Sequence, residues 1–580
     1  MTVELRFSEA VPSWTKLGSA ELFRLLENPM GKESKISEKA NELDIKWHIS
    51  PFYIASRDEK TMNDFLTYVA NWYTWNRLIM TSNYDLLLKQ KGDQFEVLPT
   101  PRPATLRHVP SNSSNIKPSG IKEIKIESLP DAISEVVAYI KKNGTDGIQP
   151  ERIKNAKIYK DERYIEFSVI ASSGKKGTCF SCSKEDYLMP TKETQSPLTV
   201  GLANYANFYS YHTGNIGFCR ACAISNHLAF GRVLYNVSGD DIFMAIPESS
   251  SISDLIKYIK IIEYSYLETK FKREIKELDG FDNILLSNSN GYFSNFVEKN
   301  HGSSGFFFLI LVLFTALLNS INSLVRDIQD DKIRKEMPSN ELFNFLVKGS
   351  TINKEDLDTV YSTAFKSWSF ILTRNDQNVR HWRYPNSMHI TRMITNIKSE
   401  CGIASPLKII QELIYKSGDN YIYTRREDFS RSMLMGKLDL GILEESVWEI
   451  MASKGKVRRG ISDLALCIAK QNMGGKNMKN DEIFKQCSLI GRTIAELAAG
   501  DNNKSILYEL RSVGNPQAFR RFIERFTFKC ASIGKPSAIT NEFVEKLMDG
   551  EEWKAYKSII AIVANQSYSY RISEKEAPKQ

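Results

Sequence analysis

Two Cys-x-x-Cys pairs constrain this chain more than anything else in it: Cys179-Phe180-Ser181-Cys182 and Cys219-Arg220-Ala221-Cys222. They use four of the eight cysteines in 580 residues. Such a pair brings two thiolates to one side of a tight knuckle. Two facing knuckles supply four sulfurs at tetrahedral positions, the geometry of a closed structural zinc site. Gly177 and Gly217 precede the pairs and are expected to supply unusual backbone angles. The 36 residues between Cys182 and Cys219 exceed the roughly 15–20 of a zinc ribbon. They leave room for a folded excursion containing Tyr205, Phe208, Tyr209 and Tyr211. Four protein ligands leave no coordination position for water, so the metal is expected to be structural. A redox dithiol needs only one pair and a thioredoxin-like context, which is missing; disulfides or inert thiols are the remaining reading. His212 and His227 lie near enough to substitute as ligands, but read better as ordinary histidines.

Length and patterning place this module in a larger frame. A chain this long is expected to hold three or four folding units. The start, Met1-Thr2-Val3-Glu4-Leu5, has no basic segment before an apolar core, so no signal peptide is expected. The longest apolar run, Phe306 to Leu318, has 13 residues. A membrane span needs about 20, so the run reads as a buried helix and no membrane partner is expected. Few cysteines and no secretion signal favour a reducing, cytoplasmic setting.

The expected fold class is α+β and predominantly helical. Residues 1–120 read as a mostly helical region ending in a Pro-rich loop from Pro99, which carries Arg102, Arg107, His108 and Lys117. Within it Phe65, Tyr68, Val69 and Trp72 fall at helical spacing and read as core. Residues 121–250 read as an α/β region holding the cysteine module at about 171–230. One hairpin is expected from 157–160 and 164–170, another from 232–237 and 242–246. Residues 251–430 read as helical, with loops near 287–304 and 374–390. Residues 431–580 read as an all-α bundle with helices at 438–451, 461–471, 483–499, 504–513, 516–526, 541–549 and 554–565.

The net charge is +8. From Arg431 onward there are 24 Lys and Arg against 18 Asp and Glu, so most of the excess sits in the bundle. Lys454, Lys456, Arg458 and Arg459 occupy an interhelical turn. Arg511 precedes a second cluster of Arg520, Arg521, Arg525 and Lys529. Clustered cations suit phosphates, and no base-reading pattern accompanies them, so contact with nucleic acid would be electrostatic. Arg380 and Arg383 alternate with Trp382 and Tyr384, aromatics capable of stacking on bases. Asn288 and Asn290 lie in a polar turn that reads first as plain surface.

Ser238-Gly239-Asp240-Asp241 joins two expected strands, where a palm-type polymerase or cyclase would place metal-binding aspartates. No upstream carboxylate partner in a strand is evident, and Asp-Asp is ordinary turn chemistry. The phosphate-loop, serine-hydrolase and zinc-protease motifs are absent. The chain reads as a scaffold rather than an enzyme.

Gly177-Thr178-Cys179-Phe180-Ser181-Cys182 and Gly217-Phe218-Cys219-Arg220-Ala221-Cys222, followed by an all-α carboxy-terminal bundle, resemble the CXXC-CXXC family of large subunits in type I (I-A/I-B-like) CRISPR interference complexes, or Cascade. The resemblance implies a non-catalytic subunit that recognises a short duplex motif, the PAM, opens the duplex and helps hold the displaced strand. Implied partners are crRNA, target DNA, other Cascade subunits, and a helicase-nuclease or transposition protein. The bundle would be small-subunit-like and track the displaced strand, with Met433 or Met435 as a conceivable internal start. Arg102, Arg107, Asn288 and Asn290 are the candidate PAM-facing residues.

Overall fold

A computed structural model describes chiefly residues 2–27, 33–77, 80–91, 94–103, 124–126, 132–143, 150–153, 158–159, 176–190, 217–238, 241–262, 285–286, 293–294, 306–312, 366–374, 378–384 and most of 402–576. It is predominantly helical with several small sheets and a carboxy-terminal helical cluster. The chain divides into two compact units. One is formed by residues 1–272, 283–296 and 320–387, the other by 273–282, 297–319 and 388–580.

The first unit opens with β1 (Val3–Arg6), α1 (Ser13–Glu27), α2 (Ser34–Glu42), β2 (Lys46–Ile49), β3 (Phe52–Ser56) and α3 (Glu59–Arg77). The strands form an antiparallel sheet in the order β1-β3-β2. Phe52, Ile54 and Ser56 point inward by the two-residue period of a strand. The stretch is therefore more mixed than its expected mostly helical character. Phe65, Leu66, Val69, Ala70 and Tyr73 are fully buried on α3, while Tyr68 and Trp72 lie at the margin of that stripe.

β4 (Met80–Lys91) and β5 (Gln94–Pro103) pair antiparallel, flanked by β6 (Ile124–Ile126) and, parallel to β4, β7 (Ile158–Tyr159). The expected loop from Pro99 therefore begins as strand: Pro99, Pro101 and Pro103 belong to β5. Among the described residues β6 pairs with Phe95–Val97 and no strand pairs with that side of β5 beyond it, an edge position where missing N–H groups are tolerated. The strand expected at 164–170 lies outside the described residues. After α4 (Ala132–Asn143) come two short ladders, β8 (Lys176–Thr178) with β9 (Glu185–Tyr187) and β10 (Met189–Pro190) with β11 (Gly217–Phe218).

α5 (Arg220–Ala229) follows, buried at all ten positions. It packs against α1, whose residues Trp14 to Leu26 are all buried. Their backbones meet at Gly18, where an added Cβ would fall 1.6 Å from the Ser225 carbonyl oxygen. Polar groups in this contact pair across it. Ser19 and Ser225 share a hydroxyl hydrogen bond of 2.8 Å, and Thr15 Oγ1 donates to Asn226 Oδ1 at 2.7 Å. Arg24 bridges Glu21 and Glu33, and Arg232 reaches Glu21 at 2.8 Å. Burial opposes the charge on Glu21, yet the two guanidiniums outweigh it and hold its carboxyl below the usual range.

β12 (Leu234–Ser238) and β13 (Asp241–Glu248) form the second expected hairpin. α6 (Ile252–Ile262) follows, then a small ladder of β14 (Leu285–Leu286) and β15 (Phe293–Ser294). β16 (Ser367–Arg374) and β17 (Asn378–Tyr384) complete a sheet ordered β12-β13-β16-β17. Within the expected loop at 374–390, Arg374 and Asn378–Tyr384 are strand; residues 375–377 and 385–389 lie outside the described residues.

In the second unit, residues 306–312 form a buried helix, as the apolar run suggested. Its first amides, Phe307 N and Phe308 N, donate to the two Glu427 carboxylate oxygens at 2.8 and 3.0 Å. Among the described residues no helix is long and apolar enough to cross a membrane. α7 (Pro406–Gln411), the hairpin of β18 (Tyr415–Ser417) and β19 (Asn420–Ile422), and α8 (Thr424–Leu434) lead into the cluster. The cluster comprises α9 (Leu440–Ala452), α10 (Gly460–Asn472), α11 (Met478–Gly500), α12 (Ser505–Arg511), α13 (Pro516–Ser532) and α14 (Trp553–Glu576). α14 is the hub, packing on α9 to α13. Gly491 of α11 lies so close that a Cβ would sit 2.9 Å from the Ile560 carbonyl oxygen. Cys467 on α10 is disulfide-bonded, and its partner lies outside the described residues.

The α1–α5 contact predicts that Gly18→Ala destabilises the first unit by about 2–3 kcal/mol or more, the cost of overpacking a closed contact. Gly514→Ala, with open space around it, should leave stability within about 0.5 kcal/mol. Urea unfolding of the two variants checks this, and equal midpoints would refute the close-approach role of Gly18.

Candidate functional site

The first cysteine pair sits on the turn between β8 and β9. Cys179 N donates to the Lys184 carbonyl at 2.8 Å, and Ser183 N returns to the Cys179 carbonyl at 2.9 Å. Ser183, directly after Cys182, takes the left-handed φ of 58° that closes this knuckle. The second pair begins α5. Cys219 has extended backbone before the helix, its carbonyl accepts from Ala223 N at 2.8 Å, and Cys222 lies in the first turn. Thiolates at a helix amino terminus face the positive end of its dipole.

The four Sγ atoms all lie within 4.8 Å of one another, so the two pairs form one cluster. Cys182 Sγ and Cys219 Sγ are 3.8 Å apart. Cys219 N points at Cys179 Sγ at 3.3 Å, a backbone donor of the kind that supports a bound thiolate. Cys179, Cys219 and Cys222 are buried and Cys182 is half-buried. Thiols crowded this closely cannot all ionise unaided. Hydrogen bonds from Cys182, Cys219 and Cys222 draw the Cys179 thiol down, whereas hydrogen bonding to Cys179, Cys182 and Cys219, with burial, drives Cys222 up. A divalent cation resolves the conflict by stabilising four thiolates together. The donor set therefore fits a metal such as zinc in a closed, structural role.

The glycines before the pairs act differently from the expectation. Neither has a positive φ. Instead both press on one side chain: a Cβ on Gly177 would lie 2.8 Å from Leu188 Cδ1, and one on Gly217 would lie 2.7 Å from Leu188 Cβ. Leu188 is thus wedged between the two ladders that present the thiols.

Several supporting residues escaped the sequence reading. Arg220, inside the second pair, is buried; it pairs with Glu59 and donates to Asn63 Oδ1 at 3.0 Å, both on α3. Thr15 Oγ1 lies 3.2 Å from Ser181 Oγ, between the first cysteines. These partners are more than 150 residues away in sequence, and only the buried charge of Arg220 between two ligands hinted at a fixed role. His227 is fully buried with Nε2 3.2 Å from the Ala70 carbonyl, a satisfied core histidine. His212 lies outside the described residues.

The basic candidates fare unevenly. Lys454, Arg459, Arg107, Asn288, Asn290 and Asp240 lie outside the described residues, and Arg102 is placed only as a position on β5. Lys456, in the turn between α9 and α10, rests 4.6 Å above the Tyr570 ring, and exposed Arg458 is 3.5 Å from Glu412. Arg511 ends α12 with its guanidinium 5.4 Å from the Trp448 ring. On α13, Phe519, Phe522, Ile523, Phe526 and Cys530 face the core, leaving Arg520, Arg521 and Arg525 exposed and Lys529 at the margin. Arg520 pairs with exposed Glu524 at 3.0 Å; exposed Arg525 pairs at 2.6 Å with the half-buried Glu509, whose Oε1 is itself buried.

Arg380 and Arg383 lie on β17 rather than on a loop. The strand period turns Tyr384 into the core, and its aromatic neighbour Trp382 is half-buried, 5.2 Å away. Trp382 and Tyr384 stand opposite Phe370 and Trp368 in the ladder, so Tyr384 is packed rather than offered to a base. Arg383 binds Glu248 at 2.5 Å, and that carboxylate also accepts from Ser369 at 2.6 Å. Burial opposes the charge on Glu248, but these partners hold its carboxyl below the ordinary range. Asp241 begins β13 and Glu248 ends it; β12, β16 and β17 carry no carboxylate. No family model, curated protein or solved structure matches the chain.

The cluster predicts one tightly held metal ion per chain. Elemental analysis of purified protein should find it, and Cys179→Ser with Cys222→Ser should lose it together with the cooperative unfolding of the first unit. Acidification should release it, because thiolates take up protons as the pH falls. A metal-free, fully folded wild-type chain would refute the site.

Proposed function

We propose that the chain is a non-catalytic, zinc-braced nucleic-acid-binding scaffold, acting as the large subunit of a type I CRISPR RNA-guided surveillance complex. In this reading it recognises a PAM, helps unwind target DNA and holds the displaced strand, alongside crRNA and the other Cascade subunits. The observation that carries the nucleic-acid part is α13, whose outward side bears Arg520, Arg521 and Arg525 against one carboxylate, Glu524. Neutralising phosphates there would release counterions and give affinity without sequence preference. The paired cysteine motifs, which resemble those of the CXXC-CXXC large subunits, support the choice of complex. Zinc is the metal that best suits four thiolates in a closed site. It would hold the β8–β9 turn against α5 and so brace the unit that carries it.

The Arg520, Arg521 and Arg525 triple alanine variant tests this in complex with crRNA and the co-encoded subunits. R-loop formation should weaken on every target sequence. The log–log salt slope of single-strand binding should fall by roughly two, at about 0.7 per lost phosphate contact. Unchanged affinity and slope would remove the role. Nucleotide turnover abolished by Asp240→Asn and Asp241→Asn would replace the reading with a palm-type enzyme.

A further inference from the structure

α13 breaks its own amphipathic pattern at one position. Phe528 is 78% exposed, more than any other large hydrophobic among the described residues. A core helix keeps its phenylalanines on one stripe, as Phe519, Phe522 and Phe526 do here. Phe528 instead stands on the opposite side, three residues after Arg525 and seven after Arg521, spacings that share one helix face. Arg521 has no ion-pair partner among the described residues. Arg525 donates from Nε to the Arg521 carbonyl at 3.3 Å, which fixes its stem along the same face. Its guanidinium is two-thirds exposed although its partner Glu509 is half-buried, so a phosphate would share Arg525 with that carboxylate and meet Arg521 unopposed.

An aromatic ring in water flanked by cations is the combination that binds unpaired nucleotides: the ring stacks a base while the guanidiniums hold the backbone. Arg521 and Phe528 are about 10 Å apart along the axis at 1.5 Å per residue, a separation a flexible strand spans in one or two nucleotides. We infer that Phe528 is a stacking platform for one base of a single-stranded nucleic acid whose phosphates lie on Arg521 and Arg525. This rests on the nucleic-acid reading above and adds a stacked, unpaired base to it. A duplex, with its bases already stacked, would not satisfy this site.

The test uses the full chain, labelled oligothymidylate of about twelve nucleotides, and an abasic strand of equal length. Phe528→Ala should weaken oligothymidylate binding roughly five- to a hundred-fold, the range for one stacked base. Its salt slope and thermal midpoint should not change. The abasic strand should bind wild type and Phe528→Ala alike, and Phe528→Trp should restore affinity, with indole fluorescence quenched on binding. Arg521→Ala should instead flatten the salt slope on both strands. If Phe528→Ala binds oligothymidylate as wild type does while Arg521→Ala weakens it, stacking is overturned and the electrostatic reading survives. If wild type binds neither strand, both fall. Self-association abolished by Phe528→Ala, with oligonucleotide binding unaffected, would overturn the inference and assign the ring to a second copy of the chain.

Discussion

The contact between α1 and α5 is the constraint on which the first unit turns. α5 is buried along its whole length, so every polar group on it needs a partner inside the protein. Ser225 and Asn226 find theirs on α1, His227 on α3, and Arg220 on α3 as well. The same helix starts with Cys219 and carries Cys222 in its first turn. The thiol cluster is therefore attached to the central helix of the unit and is not a peripheral finger. Each internal hydrogen bond contributes only about 1 kcal/mol net. A structural four-ligand zinc contributes about 10–16 kcal/mol, comparable to the whole stability of a typical domain. On that scale metal binding, transmitted through α5, would decide whether the surrounding helices and sheets hold together.

Leu188 shows how the cluster is shaped without metal. Gly177 and Gly217 both close on it, one from each ladder, so the two knuckles are set at a fixed distance by a single apolar side chain. Glycine beside a Cys-x-x-Cys commonly supplies backbone freedom, the use expected of both. Which use applies depends on what stands opposite, and Leu188 is not adjacent to either glycine in sequence. The positive φ belongs instead to Ser183, whose residue type does not announce it.

What could be read ahead of the structure follows the range of the interactions involved. The thiol group was legible because four chemically distinctive residues repeat one short spacing. The helices of the second unit were legible because apolar residues recur every three or four positions; the expected 516–526 helix, for instance, is observed over Pro516–Ser532. The β12–β13 hairpin was legible from alternation on both sides of a turn. β17 was not, since Arg380, His381, Trp382 and Arg383 have the composition of an exposed loop. Its strand character comes from pairing with β16, whose core position is set by Trp368 and Phe370. The strand content of β5 was masked by three prolines that only an edge position tolerates.

Net charge misleads in the same way, because a formal count treats all cations as equivalent. Arg24 and Arg232 are buried against Glu21 and Glu33, and Arg220 is closed over Glu59. Removing the partner of such a group leaves a charge stranded in low dielectric, so these arginines are not free to meet a polyanion. Arg383 is drawn to Glu248, and Lys16 is held at the Ser249 carbonyl, 2.8 Å away. The cations of α13 differ in environment rather than in type: all three guanidiniums are exposed, the Arg520–Glu524 pair is solvated and weak, and Arg521 has no ion-pair partner among the described residues. A surface that binds phosphate needs charge that can change partners at little cost. By that criterion the excess of a few positive charges in the last quarter of the chain matters more than its size suggests, because Arg520, Arg521 and Arg525 lie side by side on one accessible helix.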